Sequence, residues 1–153
     1  MHTVTVHEIQ PETRSACSNA LYELKAQVTG FVSAGVVGPD GFEVAVVTTR
    51  PIEVSKLAAL SSTLIAIGEA FSVEAGEKPC HEMILESEGG GRTLLFGIPV
   101  HDAHYAMFVI AGVGGGLTLG MILSRTRMCA TRIQNILSAN SQAGSTGSTG
   151  STE

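Results

Sequence analysis

The sequence contains no tryptophan, and only 5% of its 153 residues are aromatic. Surfaces that stack bases or sugars need aromatic side chains, so we expect no such surface here. Basic residues are few as well, since 9 Lys and Arg stand against 14 Asp and Glu, for a net charge of −5. Because nucleic-acid binding requires a basic surface that neutralises phosphates, we expect no nucleic-acid partner.

Cysteine is also scarce. Cys17, Cys80 and Cys129 lie far apart and form no Cys-x-x-Cys pair, which gives no support for a thiol redox motif or a structural zinc site. Residues 1–14 have neither a basic region nor a continuous apolar region, so no signal peptide is expected. Free cysteines are typical of a reducing compartment, and we expect a cytoplasmic protein.

Long uninterrupted apolar runs are missing. The most apolar stretch, residues 105–123, contains several glycines, and we interpret it as a strand that turns into a helix rather than as a membrane insertion. Apolar residues still make up 44% of the chain, enough for one core. We therefore predict one domain over residues 8–138, followed by a flexible Gly/Ser/Thr tail over 139–153.

Hydrophobic spacing and turn residues predict eight elements. The first helix begins at Pro11 and ends before Gly30. The further predicted ranges are strands at 31–37 and 42–48, a helix at 54–75, strands at 82–88, 93–98 and 105–111, and a helix at 117–137. Hairpins rather than crossover connections predict an antiparallel sheet with helices on its faces, an α+β fold.

The central helix has two rows of side chains that could pack. The large apolar row consists of Leu57, Leu60, Leu64, Ile67 and Phe71, and the small row consists of Ala58, Ala59, Ser61, Ser62 and Ala66. We expect the large row to cover the sheet and the small row to let another helix approach closely. The alternative is that the small residues only reflect good helix propensity.

The strand predicted at 82–88 has one apolar face and one polar face. Met83 and Leu85 point one way, while Glu82, Glu86 and Glu88 point the other, with Ile84 interrupting the polar face. This pattern is typical of a strand at the edge of a sheet.

The glycine run at 112–120 is the first candidate for chemistry. Gly115 and Gly120 have the spacing of a phosphate-binding Walker loop, but Met121 stands where that loop needs lysine. We interpret the run as a flexible turn between a strand and a helix.

Other groupings are equally incomplete. His101, Asp102 and His104 fall in a predicted loop and are too few for a structural zinc site. Cys80 and His81 are adjacent in an extended segment, so their side chains point apart. Glu86 and Glu88 share a strand face, which a solvated edge explains. We therefore expect no catalytic residue, no metal and no cofactor.

The complete pattern resembles the Roadblock family of dynein light chains and bacterial GTPase regulators. Its carriers are segments 30–37, 38–42, 56–60, 93–97 and 117–123, in this order. The match covers about residues 10–137. The glycine-rich turn at 112–116 departs from the family pattern.

The resemblance implies a five-stranded antiparallel sheet with the central helix on one face and the two terminal helices on the other. It also implies a homodimer formed by the central helix and an edge strand, and a non-enzymatic regulator of a small Ras-like GTPase. A dimeric scaffold without effect on nucleotide turnover, a small-molecule sensor and an enzyme are the alternatives. The residues expected at the dimer or partner interface are Leu57, Leu60, Ser61, Leu64, Met83 and Leu85.

Overall fold

The structure is a computed structural model that describes residues 8–114 and 116–145, with side chains to residue 142. It contains the eight elements in the predicted order. They are α1 (Pro11–Gln27), β1 (Phe31–Val37), β2 (Glu43–Thr48), α2 (Val54–Glu74), β3 (Glu82–Glu86), β4 (Arg92–Val100), β5 (Ala103–Ala111) and α3 (Leu119–Ser145).

The five strands form one antiparallel sheet in the order β2-β1-β5-β4-β3. The β1–β2 hairpin and the β3–β4–β5 meander are joined by the pairing of β1 with β5, in which Gly35 lies opposite Phe108. The predicted edge position of β3 is confirmed, and β2 is the other edge.

The two faces of the sheet carry different layers. Helices α1 and α3 pack together on one face and enclose the larger core, which includes Leu21, Leu94 and Ile133. Helix α2 covers the other face alone, over a small cluster that includes Leu95 and Phe108. The predicted α+β fold, with one helix on one face and two on the other, is confirmed.

Several predicted boundaries need correction. Strand β3 ends at Glu86, and β4 and β5 extend toward each other until only the turn at His101 and Asp102 separates them. His101 has φ 51°, in the left-handed region that such a tight turn requires. The predicted loop over 99–104 is therefore mostly strand.

Helix α3 begins at Leu119 rather than at residue 117 and continues to Ser145, past the predicted end at Leu137. Asn140 explains part of the extension, because its buried Oδ1 accepts hydrogen bonds from the backbone N–H of Gln10 and from Thr13 Oγ1. Residues 139–145, predicted as the beginning of the tail, are helical, and 146–153 lie outside the described residues.

Candidate interaction surface

Helix α2 packs against the sheet with two residues of its small row, Ala58 and Ser61, together with Ile65. Ala58, Ser61 and Ile65 are its buried residues, one helical turn apart. The expectation that the large apolar row covers the sheet holds only for Leu57 and Leu64, which pack against the small cluster, and is wrong for the other three residues of that row. Ser61 tolerates burial because its hydroxyl donates a 2.7 Å hydrogen bond to the Leu57 carbonyl of its own helix.

The sheet itself explains this orientation. A Cβ on Gly35 would lie 2.5 Å from Cε1 of Phe108, so the phenylalanine ring already fills the space above that glycine. At Gly97 a Cβ would lie 3.2 Å from Cγ2 of Ile65, and at Gly68 it would lie 2.7 Å from Sδ of Met83. Gly97 on the sheet and Gly68 on the helix therefore let α2 lie close to the sheet, with Ile65 over Gly97 and Met83 against Gly68.

Three residues of the large row point away from the sheet. Leu60, Ile67 and Phe71 are 56%, 58% and 74% exposed, and they follow one another at helical spacing. Leu57 and Leu64, half-buried, lie between this row and the sheet. We call Leu60, Ile67 and Phe71 the exposed row. Grouped apolar side chains of this size on a surface mark an interaction site.

The exposed row also makes α2 unusually apolar. Within the described ranges it is the one helix with the length and composition of a membrane span, with a mean hydropathy of 1.3 over 18 residues, of which 17% are buried. The buried row packs on the sheet, and Glu69 lies on the same helix beside His81 of the sheet layer. We interpret the apolar row as a protein contact surface.

Strand β3 lies next to this surface with one edge unpaired. Met83 and Leu85 share one face, as predicted, and this is the α2 face, where Met83 packs against the small cluster. The hydrogen bonds of Gly97 N–H to the His81 carbonyl and of Ser87 N–H to the Gly91 carbonyl set the register. Odd-numbered residues of β3 therefore bond β4, and the N–H and C=O groups of Glu82, Ile84 and Glu86 point outward.

The other face of β3 carries charge. Arg127 of α3 donates three hydrogen bonds of 2.8–3.1 Å to the Glu82 carboxylate, and this contact raises the pKa of Arg127. Arg92 pairs with Glu86 at 3.4 Å. These ion pairs lie on the α3 face and leave the α2 face of the strand apolar.

Five of the six residues predicted for the interface belong to this surface. Leu60 is exposed, Leu85 is 39% exposed, and Leu57, Leu64 and Met83 are half-buried beside them. Ser61 is the correction, because it is buried against the sheet. Ile67 and Phe71 were not among the predicted interface residues, although Ile67 follows Leu60 by seven residues and Phe71 follows Leu64 by seven, which places them in the same row.

Of the residues considered for chemistry, Cys80 and His81 make their contacts with other residues, whereas His101, Asp102 and His104 line one cleft beside the β4–β5 turn. Cys80 Sγ donates a 2.9 Å hydrogen bond to the Glu82 carbonyl, and Glu88 lies in the turn after β3, so it does not share a strand face with Glu86. Within the described residues, no group of three or more His, Cys, Asp or Glu side chains is placed to hold a metal ion. Of the Walker-like spacing, Met121 lies exposed in the first turn of α3, and Gly115 is outside the described residues.

No protein-family model and no curated protein sequence matches the chain. Solved structures do match. An MglB with a tetrameric arrangement has a TM-score of 0.76 at 15% identity, covering 90% of this chain and 99% of that chain. The gliding protein MglB from Thermus thermophilus has a TM-score of 0.73 at 15% identity, covering 88% and 97%. A Roadblock/LC7 domain from Streptomyces avermitilis has a TM-score of 0.63 at 20% identity, covering 78% and 96%. The chain therefore has the fold of MglB and of the Roadblock/LC7 domains, as the sequence resemblance implies.

Proposed function

We propose that this protein is a cytoplasmic, non-enzymatic homodimer that binds and regulates a small Ras-like GTPase. The observation that carries the proposal is the exposed row of α2, which lies beside the unpaired edge of β3 on the thinly covered face of the sheet. An apolar surface of this kind needs a partner, and a second copy of the chain supplies an identical surface.

The dimer contact joins two kinds of interaction. Leu60, Ile67 and Phe71 supply apolar area, and Glu82, Ile84 and Glu86 supply outward-facing backbone groups that can pair with the same strand of the partner. A stable interface buries about 1,200–2,000 Å² in total. We expect the exposed row and the β3 edge of both copies together to bury an area in this range.

The register of β3 gives a sharp test of the strand contact. Ile84→Pro removes an outward N–H and leaves the bonds to β4 intact, whereas Leu85→Pro removes an N–H that faces β4. We expect Ile84→Pro to convert the dimer to a folded monomer, measured by light scattering and circular dichroism. The control Leu85→Pro should lower the melting temperature instead. A dimer of unchanged affinity in Ile84→Pro would exclude β3 as the seam.

Binding to a GTPase is supported by the likeness of the fold to MglB and by the kind of surface the chain offers. That surface is the apolar row Leu60, Ile67 and Phe71 of α2. A regulator can act without chemistry of its own, by holding the mobile switch segments of a GTPase in one conformation.

The test begins with the immobilised full chain and an extract of its native cell. We expect a small GTPase among the recovered proteins, and we expect purified GTPase and chain together to show a changed rate of GTP hydrolysis or exchange. The immobilised Phe71→Ser variant should no longer recover the GTPase. Binding at an unchanged rate of both steps would replace regulation by the scaffold function. Failure of the purified pair to bind would overturn the GTPase assignment.

A further inference from the structure

A cleft of about 750 Å³ lies at one end of the sheet, away from α2. It is formed by the β1–β2 turn, the β4–β5 turn, the beginning of α1 and the last turns of α3. Its size falls within the range of small-molecule sites. The interface proposed above makes no use of this cleft.

Two buried polar side chains line the cleft. Tyr105 is 7% exposed and Asn140 is 6% exposed. The Tyr105 hydroxyl makes no hydrogen bond within the described residues. Asn140 Oδ1 accepts two hydrogen bonds, from Gln10 N and Thr13 Oγ1, which leaves its Nδ2 group as a donor without a bond in the same described part. Among the described residues no buried side-chain nitrogen or oxygen lacks a hydrogen-bond partner, so these two unbonded atoms are open to the cleft, where a ligand can reach them.

The Tyr105 phenol is a donor at neutral pH. Burial raises the pKa of Tyr105, and the nearby Asp40 carboxylate raises it further. Asp40 is itself held in place, because its Oδ1 accepts a 3.0 Å hydrogen bond from the backbone N–H of Phe42. Tyr105 and Asn140 can thus both donate to an oxygen atom of a ligand.

Charge around the cleft is predominantly negative. Asp40, Glu43 and Asp102 contribute three carboxylates, and Arg14 contributes one guanidinium, whose Nη1 donates to the Val44 carbonyl at 3.1 Å. The remaining titratable groups are the imidazoles of His101 and His104. The cleft therefore favours a cation over an anion.

Apolar side chains supply the walls. Phe42 and Val44 lie on the β2 side, and Val100 and Ala103 lie on the β4–β5 side. A ligand of matching chemistry has an apolar body between a positive group and a hydrogen-bond acceptor.

We propose that this cleft binds a small organic amine, with its ammonium group among the carboxylates of Asp40, Glu43 and Asp102, its apolar body against Phe42 and Val100, and a hydroxyl oxygen that accepts hydrogen bonds from Tyr105 and Asn140. This assignment does not depend on the proposed regulation of a GTPase.

Calorimetry and two-dimensional NMR of the full chain test it with four probes that share one aromatic body. Tyramine carries an ammonium and a hydroxyl group, phenethylamine carries the ammonium group alone, tyrosol is the neutral analogue and 4-hydroxyphenylacetate is the anionic one. We expect tyramine to bind with a Kd of about 1 mM or tighter. Tyrosol and 4-hydroxyphenylacetate should bind at least about tenfold more weakly, because they lack the positive charge.

Two variants assign the contacts. Tyr105→Phe removes one hydroxyl and keeps the ring in the core, so it should weaken tyramine about five- to tenfold and leave phenethylamine nearly unchanged. Asp40→Asn keeps the oxygen that Phe42 N–H bonds and should weaken both amines, whereas Glu53→Gln on α2 should weaken neither. Any one of three results overturns the proposal. These are no saturable binding of tyramine or phenethylamine, binding of 4-hydroxyphenylacetate as tight as that of tyramine, or an equal loss of affinity for both amines in Tyr105→Phe.

Discussion

Phe71 is the residue whose replacement should most directly dissolve the proposed dimer. A buried phenylalanine covers at least about 150 Å², so the exposed 74% of Phe71 corresponds to about 110 Å². At about 25 cal/mol per Å², burying that area stabilises an interface by about 2.7 kcal/mol per copy, or about 5.5 kcal/mol for two copies. Phe71→Ser should therefore raise the dimer dissociation constant by about three to four powers of ten.

The same substitution should hardly change the stability of the monomer. Phe71 points away from the sheet, and surface substitutions of that kind usually change the free energy of unfolding by less than about 0.5 kcal/mol. Phe42 is the matched control, since it is the same residue type, is 69% exposed and lies in the β1–β2 turn.

Light scattering at a series of micromolar concentrations should give the monomer mass for Phe71→Ser and twice that mass for Phe42→Ser. Urea unfolding checks that both variants are folded. If Phe71→Ser retains the dimer affinity of the unchanged protein, the exposed row is not the interface. If both variants become monomeric, exposed aromatic area rather than this surface decides assembly.

Three further predictions concern the core and nucleotides. Gly35→Ala should lower the free energy of unfolding by about 1–3 kcal/mol because its Cβ would meet the Phe108 ring, while Gly91→Ala, whose Cβ has no neighbour nearer than 3.9 Å, should lie within about 0.5 kcal/mol of the unchanged protein in urea unfolding. Burial raises the pKa of Cys17 and of Cys129 from 9.0 to about 11, so the unfolded thiols ionise first and the urea midpoint should fall between pH 9 and 11. A double Cys17→Ala, Cys129→Ala variant should lose that part of the pH dependence, and an unchanged slope would contradict the assignment. Calorimetry of the isolated chain with GTP or ATP should show no binding. Saturable micromolar binding would contradict the interpretation of the glycine run at 112–120 as a turn without a phosphate site.

The order of helices and strands could be predicted because each element has its own signal. A β-branched, apolar run marks β1, and the Gly38–Gly41 turn leads directly into β2. Short loops between β3, β4 and β5 permit only antiparallel neighbours. These signals are local, which is why they survive without knowledge of the partner elements.

The end of α3 could not be predicted in this way. Beyond Leu137 the helix has a sequence of small and polar residues, and periodicity gives no signal there. What holds it is the contact of Asn140 with Gln10 and Thr13, residues about 130 positions earlier in the chain. Nothing in a window around Asn140 identifies that partner.

The orientation of α2 is the more instructive failure. Helical spacing identified both rows of side chains, but the usual rule that the larger apolar row faces the core holds here only for Leu57 and Leu64. The deciding information lies in the strands. Phe108 fills the sheet surface above Gly35, and Gly97 leaves room for Ile65, so the shape of the sheet determines which side of α2 faces it.

The close packing of α2 on the sheet and the exposure of Leu60, Ile67 and Phe71 both follow from the rotation of the helix about its axis. A helix has a single circumference, so once Ala58, Ser61 and Ile65 occupy the face toward the sheet, residues half a turn away must point outward. The sequence places Leu60, Ile67 and Phe71 at those positions, where a helix exposed to water on that side would carry polar residues. Apolar residues in the exposed row are favourable when a partner covers the outer face of α2. This is the physical argument for the proposed assembly on this helix.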